Sequence, residues 1–156
     1  MFQQQGKGNG LKSVTSTYQV ESTTVSLPVD KVWEYLKSFQ FEKVFPTVVK
    51  SVKFTSGGPS EVGSVFQIEF KDGTTFEKRI VEISEVKRRL VWEVISATPE
   101  SSFSSMLSTV KVYKVTEDNT TFLFWETNYS NDVDTSVLLN EKNRKYENFK
   151  DLKKLK

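Results

Sequence analysis

Any acid–base or binding chemistry in this chain has to come from Asp, Glu, Lys or Tyr, because its 156 residues include no His and no Cys. Without His there is no Ser-His-Asp or Cys-His relay, no ordinary neutral-pH proton shuttle and no preferred transition-metal ligand. Without Cys, disulfides, thiolate nucleophiles and zinc–cysteine sites are excluded. A reactive carboxyl or amine must therefore owe its reactivity to a pKa shifted by its surroundings. Two places in the sequence offer such groups. Glu126 interrupts the aromatic and β-branched run TTFLFWETNYS, where a carboxylate on the face of Phe122 and Phe124 needs a hydrogen-bonding partner if it is buried. Exposure on a twisted sheet is the equal alternative. Glu77, Lys78 and Arg79 put three charges in one strand-like run. Its alternation leaves the inward residue open, and we read the run as cross-strand salt links on an outer face.

Apolar material is ample: twelve Phe, five Tyr and three Trp. Trp92, Trp125, Phe66, Phe103 and Tyr146 can fill a core or line a pocket, and the Tyr146 hydroxyl suits a polar ligand group. Other apparent motifs fail on spacing. SGGPSEVG has no following Gly-Lys-Ser/Thr and reads as a turn rather than a phosphate loop. Asp118, Asp132 and Asp134 do not have calcium-loop spacing. Asn119-Thr-Thr and Asn128-Tyr-Ser fit the glycosylation pattern without a secretory signal beside them.

The elements that must position these residues follow from periodicity and turn signals. In LPVDKVWEYLKSFQFEKVFP, Val32, Leu36 and Phe39 with Trp33 recur at helical spacing, Pro28 presets a first-turn φ, and Asp30 lies at the positive helix end. A second, broken helical turn precedes Pro46. Before this segment, TYQVESTTVSL reads as a strand; after it come six more. TVVKSVKFT ends at the cluster Ser56–Ser60, and Val62–Phe70 alternates up to the hairpin signal Asp72-Gly73. TTFEKRIVEIS, RLVWEVISA, Met106–Val115 and TTFLFWETNYS complete an antiparallel meander. The last segment reads as a helix capped by Asp132 or Asp134, with Leu138, Leu139, Lys142, Tyr146, Phe149 and Leu152 as its inner stripe. Its middle, Asn140–Lys145, is too polar for a helix laid on a dry core. This turn either projects beyond the sheet or covers something wet.

One domain accounts for this length, here residues 14–156, and the polar, glycine-rich residues 1–13 read as a disordered tail. The expected architecture is α+β: a seven-stranded curved antiparallel sheet wrapped around a long C-terminal helix, with two short helices between the first two strands. No apolar run approaches a membrane span, so we expect a cytoplasmic protein without integral membrane association. The net charge of +2 gives no case for nucleic acid. The same excess appears in the last 25 residues, seven Lys/Arg against five Asp/Glu, and reads as a solvated helix face. A monomer or weak dimer is expected.

The layout and several local strings resemble the helix-grip fold of the START-like, Bet v 1-like superfamily, including its polyketide cyclase/dehydrase group. Those strings are LPVDKVWEYLKSF, VVKSVKF, EVGSVFQIEF and RIVEISEVKRRLVWEV, and the resemblance runs from about Val14 to Leu155. It implies that the protein binds or carries a small hydrophobic or amphipathic ligand, anionic ones included, in an internal cavity. The alternative it implies is a cyclase/dehydratase- or isomerase-like enzyme acting in that cavity. No cofactor or metal is implied.

Residue by residue, VKSVKF resembles the string of abscisic-acid receptors in which a lysine meets the ligand carboxylate, which falls on Lys50. The receptors' cavity Ser, Glu and Asn fall on Ser108, Glu126 and Asn148, which with Lys50 would supply the polar contacts. In the enzyme alternative a Lys50–Glu126 pair would transfer protons, and the other reading of Lys50 is a lysine near a strand end reaching out to water. Phe66, Trp92, Met106, Phe124 and Tyr146 would line the rest. The receptors' Ser-Gly-Leu-Pro gate and His-Arg-Leu latch are absent, replaced by Lys71–Thr74 and TPESSFSS. The Arg, Glu and Tyr of lachrymatory-factor synthases fall on Phe66, Lys78 and Met106, so that isomerase activity is not expected, and the balance leans against an enzyme.

Overall fold

Seven strands form one antiparallel sheet: β1 (Tyr18–Val25), β2 (Val49–Ser56), β3 (Val65–Phe70), β4 (Thr75–Ser84), β5 (Arg89–Thr98), β6 (Met106–Val115) and β7 (Thr120–Tyr129). Their order is β1-β7-β6-β5-β4-β3-β2. Between β1 and β2 lie α1 (Val29–Lys37) and the single turn α2 (Phe41–Val44), and the chain closes with α3 (Thr135–Leu152). This is the helix-grip arrangement expected from the residue pattern. The computed structural model describes residues 17–156. The expected tail over residues 1–13 lies outside the described residues.

Alternation decides which side chains meet on the concave face. Met106, Ser108, Val110 and Val112 of β6 point inward and pair in register with Tyr129, Thr127, Trp125 and Leu123 of β7. On β4 the inward residues are Phe76, Lys78 and Ile80, and Lys78 sits directly opposite Phe66 of β3. Register shifts in the β2–β3 and β4–β5 ladders mark irregularities of the kind that bend and twist a sheet. Strand β4 is shifted between Ile80 and Glu82, just beyond Lys78.

The first helix behaves as its spacing predicts: Val29, Val32, Trp33 and Leu36 are buried. Pro28 takes the N-cap position, with φ −60° and ψ 149°. Asp30, in the first turn, pairs with Arg88 at 2.5 Å. After the helix, Phe39 adopts φ +56°, a left-handed conformation that costs a non-glycine residue roughly 1–2 kcal/mol. That turn drives the Phe39 ring into the core, 5.4 Å from Phe66 and 6.2 Å from Trp92 between centroids. The end wall of the interior is therefore aromatic.

Helix α3 departs from the expected stripe. Its buried residues are Glu141, Lys145, Asn148, Phe149, Asp151 and Leu152, whereas Leu139 and Tyr146 face solvent. Asp134 caps the helix, its Oδ1 accepting from Ser136 N at 3.0 Å. Polar links tie α3 to three parts of the sheet layer. Gln19 of β1 donates to the Leu138 carbonyl at 2.7 Å and its Oε1 accepts from the Tyr129 hydroxyl at 2.8 Å. Arg144 reaches Asp72 in the β3–β4 turn at 3.1 Å. Asp151 accepts from both the amide N (2.9 Å) and the hydroxyl (2.8 Å) of Thr47. Asp151→Ala would leave the Thr47 amide without its acceptor, and a loss of about 2 kcal/mol is expected in urea unfolding. An unchanged midpoint would show that the link adds nothing.

Candidate functional site

Beneath α3 the sheet encloses a cavity of about 30 Å³, lined by aromatic rings and by Lys78, Glu141, Arg144, Lys145 and Asn148. Each polar member reaches the interior by ordinary periodicity. Lys78 is carried inward between Phe76 and Ile80, and Glu141, Lys145 and Asn148 follow one another at helical spacing on the inner face of α3. The apolar wall includes Phe41, Phe45, Trp92 and Trp125. Trp92 and Trp125 meet edge to face, with centroids 5.8 Å apart.

Lys78 is 7% exposed. Its Nζ lies 5.5 Å from the ring centroids of Phe76 and Trp92 and 5.8 Å from that of Phe70. No described residue offers it a hydrogen bond or a close ion pair. Burial pulls its pKa down from 10.5 to about 8; the charge of Glu141 partly offsets this, and Arg144 and Lys145 reinforce it. Burial would raise the Glu141 carboxyl, but Arg144, Lys145 and Lys78 together hold it below its usual value. Lys145 is also lowered, first by burial, although its Nζ has the Gln19 Oε1 at 3.5 Å. Tyr129, nearby, is raised by burial and by the charge of Glu141.

Three interior cations thus share one interior carboxylate. Arg144 takes the largest part of it, pairing with Glu141 through one nitrogen and with Asp72 through the other. Its guanidinium is stacked 4.0 Å from the Phe70 centroid. Two buried polar atoms of the lining have no partner among the described residues: the Trp92 indole N–H and the Asn148 side-chain oxygen. A donor, an acceptor and an unpaired ammonium around one aromatic cavity are costly to leave unmet. They surround a space with room for about one water.

Arg144 also lines two surface clefts, of about 220 and 340 Å³, the larger bordered by Thr74, Phe76, Pro99, Ser102 and the start of α3. Its stacked side chain is the partition between interior and surface. A more voluminous opening, about 620 Å³, lies elsewhere, along α1 and α2 between Lys31, Tyr35, Gln40 and Lys43. Volume alone would select that groove. It is an open surface trough, whereas the unpartnered Trp92 N–H and Asn148 oxygen belong to the smaller cavity.

The residues expected from sequence fall into two groups. Trp92 and Asn148 line the cavity. Ser108, Phe66 and Met106 are buried in the core but do not line it, and the Ser108 hydroxyl is satisfied by Thr127 at 3.1 Å. Lys50, Glu126, Phe124 and Tyr146 do not face it. Lys50 is exposed and pairs with Glu69 at 3.4 Å. Glu126 accepts from the Tyr18 hydroxyl at 2.5 Å on the outer face. Phe124 packs outside against Tyr113, with centroids 6.1 Å apart. The reason is the pleat: Leu123, Trp125 and Thr127 occupy the inward positions of β7, so residues 124 and 126 must point out. No Lys50–Glu126 pair exists. Of the charged run on β4, Lys78 faces in while Arg79 bonds Glu93 outside at 2.8 Å. That correction moves the polar centre from β2 and β7 to β4 and α3.

A curved sheet closed over an interior cavity by one long helix defines the class: a START/Bet v 1-like domain. Residues 13–142 match the family model described as polyketide cyclase / dehydrase and lipid transport, and the chain belongs to that family. No curated protein matches it. Among solved structures, a protein of Nitrosospira multiformis is 24% identical with a TM-score of 0.77, over 87% of this chain and 93% of that one. The XoxI protein of Bacillus cereus is 21% identical at 0.75, over 88% and 93%. The major latex-like protein 151 of Panax ginseng is 18% identical at 0.71, over 87% and 94%. At these identities the likeness is one of fold. No described helix is long and apolar enough to cross a membrane.

Proposed function

We propose that the protein holds a small amphipathic ligand beneath α3, with an aromatic or otherwise apolar body against Trp92 and Trp125 and an anionic head toward Lys78, Lys145 and Arg144. The observation that carries this reading is the unpaired Lys78 ammonium beside the unpartnered Trp92 N–H and Asn148 oxygen. An anion relieves all three cations at once, and its remaining lone pairs can accept from the indole. Family membership supports ligand binding as the general role.

At about 30 Å³ the cavity has room for about one water, so this reading requires it to open as the ligand enters. Entry requires Arg144 to leave the Phe70 ring and the Asp72 carboxylate, which opens the partition toward the larger cleft. A suitable probe is 2-naphthoate, followed by quenching of tryptophan fluorescence. Loss of a charge-assisted contact is worth about 1.5–3 kcal/mol, so Lys78→Met is expected to weaken binding by roughly ten- to a hundredfold. Lys50→Ala is expected to leave it unchanged. Unaltered affinity in Lys78→Met together with loss in Lys50→Ala would reverse the assignment.

A further inference from the structure

We infer that Lys78 is a nucleophilic amine positioned to condense with the carbonyl group of a small 2-oxo acid, forming an imine inside the cavity. The inference rests on the reading that this cavity takes an anionic ligand and adds a covalent step to it. Three features of the interior converge on it.

The first is the surroundings of the amine. Lys78 Nζ is enclosed by the faces of Phe70, Phe76 and Trp92, with no acceptor among the described residues. Aromatic faces hold a cation weakly compared with a carboxylate at hydrogen-bonding distance. Burial therefore raises the share of neutral amine, the form that attacks a carbonyl carbon. The second is the charge beside it. Arg144 and Lys145 both push Lys78 toward neutrality, and both remain to receive the carboxylate of a 2-oxo acid once its carbonyl is at Lys78. Lys145 is the poorer nucleophile of the two buried lysines, since Gln19 Oε1 and the charges of Glu141 and Glu21 favour its ammonium form. The third is Glu141, an ionised buried carboxylate in the same cavity that can relay protons.

The step balances without any further reagent. The Nζ lone pair forms the new C–N bond, and the carbonyl oxygen becomes the hydroxyl of a carbinolamine. That oxygen leaves as water, having taken up both amine protons, with Glu141 carrying a proton from nitrogen to oxygen. The product is a neutral imine that becomes an iminium on gaining one proton. Trp92 and Trp125 would hold the organic portion.

The test uses the full chain with phenylpyruvate and cyanoborohydride, the latter reducing any imine to a stable secondary amine. Peptide mapping locates the adduct, and tryptophan quenching by phenylpyruvate alone reports reversible binding. The expected result is one adduct, on Lys78, formed at least about tenfold faster than at any exposed lysine because a larger share of the amine is neutral. Lys78→Met and Lys78→Arg should both lose it, and Lys145→Met should keep it. Labelling spread over exposed lysines and equal in Lys78→Met would overturn the inference, as would a dominant adduct on Lys145. Quenching without any adduct would remove the imine and leave the binding role standing; neither quenching nor adduct would remove both.

Discussion

Glu141→Gln is expected to lower the unfolding free energy at neutral pH by about 3–5 kcal/mol. The substitution keeps the shape of the side chain and removes only its charge. Glu141 is buried, and it is the one carboxylate of the cavity that Lys78, Arg144 and Lys145 all face. With glutamine there, Arg144 keeps Asp72, but Lys78 and Lys145 have no interior counter-charge. A buried cation with no partner is far more costly than a missing ion pair, because its lost hydration is no longer offset. The double variant Glu141→Gln/Lys78→Met should regain a large part of the loss, since it takes away one of the stranded cations. Urea unfolding followed by circular dichroism measures both, and their non-additivity reports the coupling. A loss under about 1 kcal/mol in the single variant would mean that water screens these charges as it does at a surface.

Raising the pH from about 8 toward 10.5 is expected to stabilise the fold through Lys78, by up to about 3 kcal/mol. The sign follows from its pKa, about 8 when folded against 10.5 for an ordinary lysine. Below the folded value both states carry the proton, so the native state bears the full burden of a buried ammonium. Between the two values the unfolded chain binds more protons, so stability rises by about 1.4 kcal/mol for each pH unit. Above the unfolded value both forms are neutral and the burden is gone. The groups facing this amine are Glu141, Arg144 and Lys145 from α3, while the strands around it present the rings of Phe70, Phe76 and Trp92. Tyr129, whose pKa is raised, works in the opposite sense once the unfolded chain's tyrosines ionise near pH 10. The comparison with Lys78→Met isolates the lysine. The wild-type stability should climb relative to the variant across this window, and parallel curves would show that Lys78 is not held as a buried cation.

Much of the architecture was legible because backbone geometry writes itself into local pattern. Asp72-Gly73 marks the β3–β4 hairpin, and Gly73 has φ +93°, a region that favours glycine. The inward set of β6 and the buried face of α1 follow periods of two and 3.6. The site was harder to read. Phe76, Lys78 and Ile80 share one face of β4, and giving weight to the two apolar neighbours would have turned Lys78 inward. In α3 the signal was present but carried by the wrong kind of residue. Glu141, Lys145, Asn148 and Leu152 keep helical spacing, yet a search for an apolar stripe passes over the first three and settles on exposed Leu139 and Tyr146. The excess polarity of residues 140–145 did point to a helix covering something other than a dry core.

The chain's own pattern determines the meander, the two short helices, the closing helix and the exclusion of His- and Cys-based chemistry, since each depends on residue identity over short stretches. The tertiary structure decided which charges are buried. A lysine on a strand or a glutamate on a helix is stable in water or inside, depending on what stands across from it. Here α3 brings Glu141 over Lys78 from more than sixty positions away, while the pleat of β7 turns Glu126 out to Tyr18. Local spacing carries no record of that long-range pairing, because the electrostatic balance that permits it exists only once sheet and helix have met.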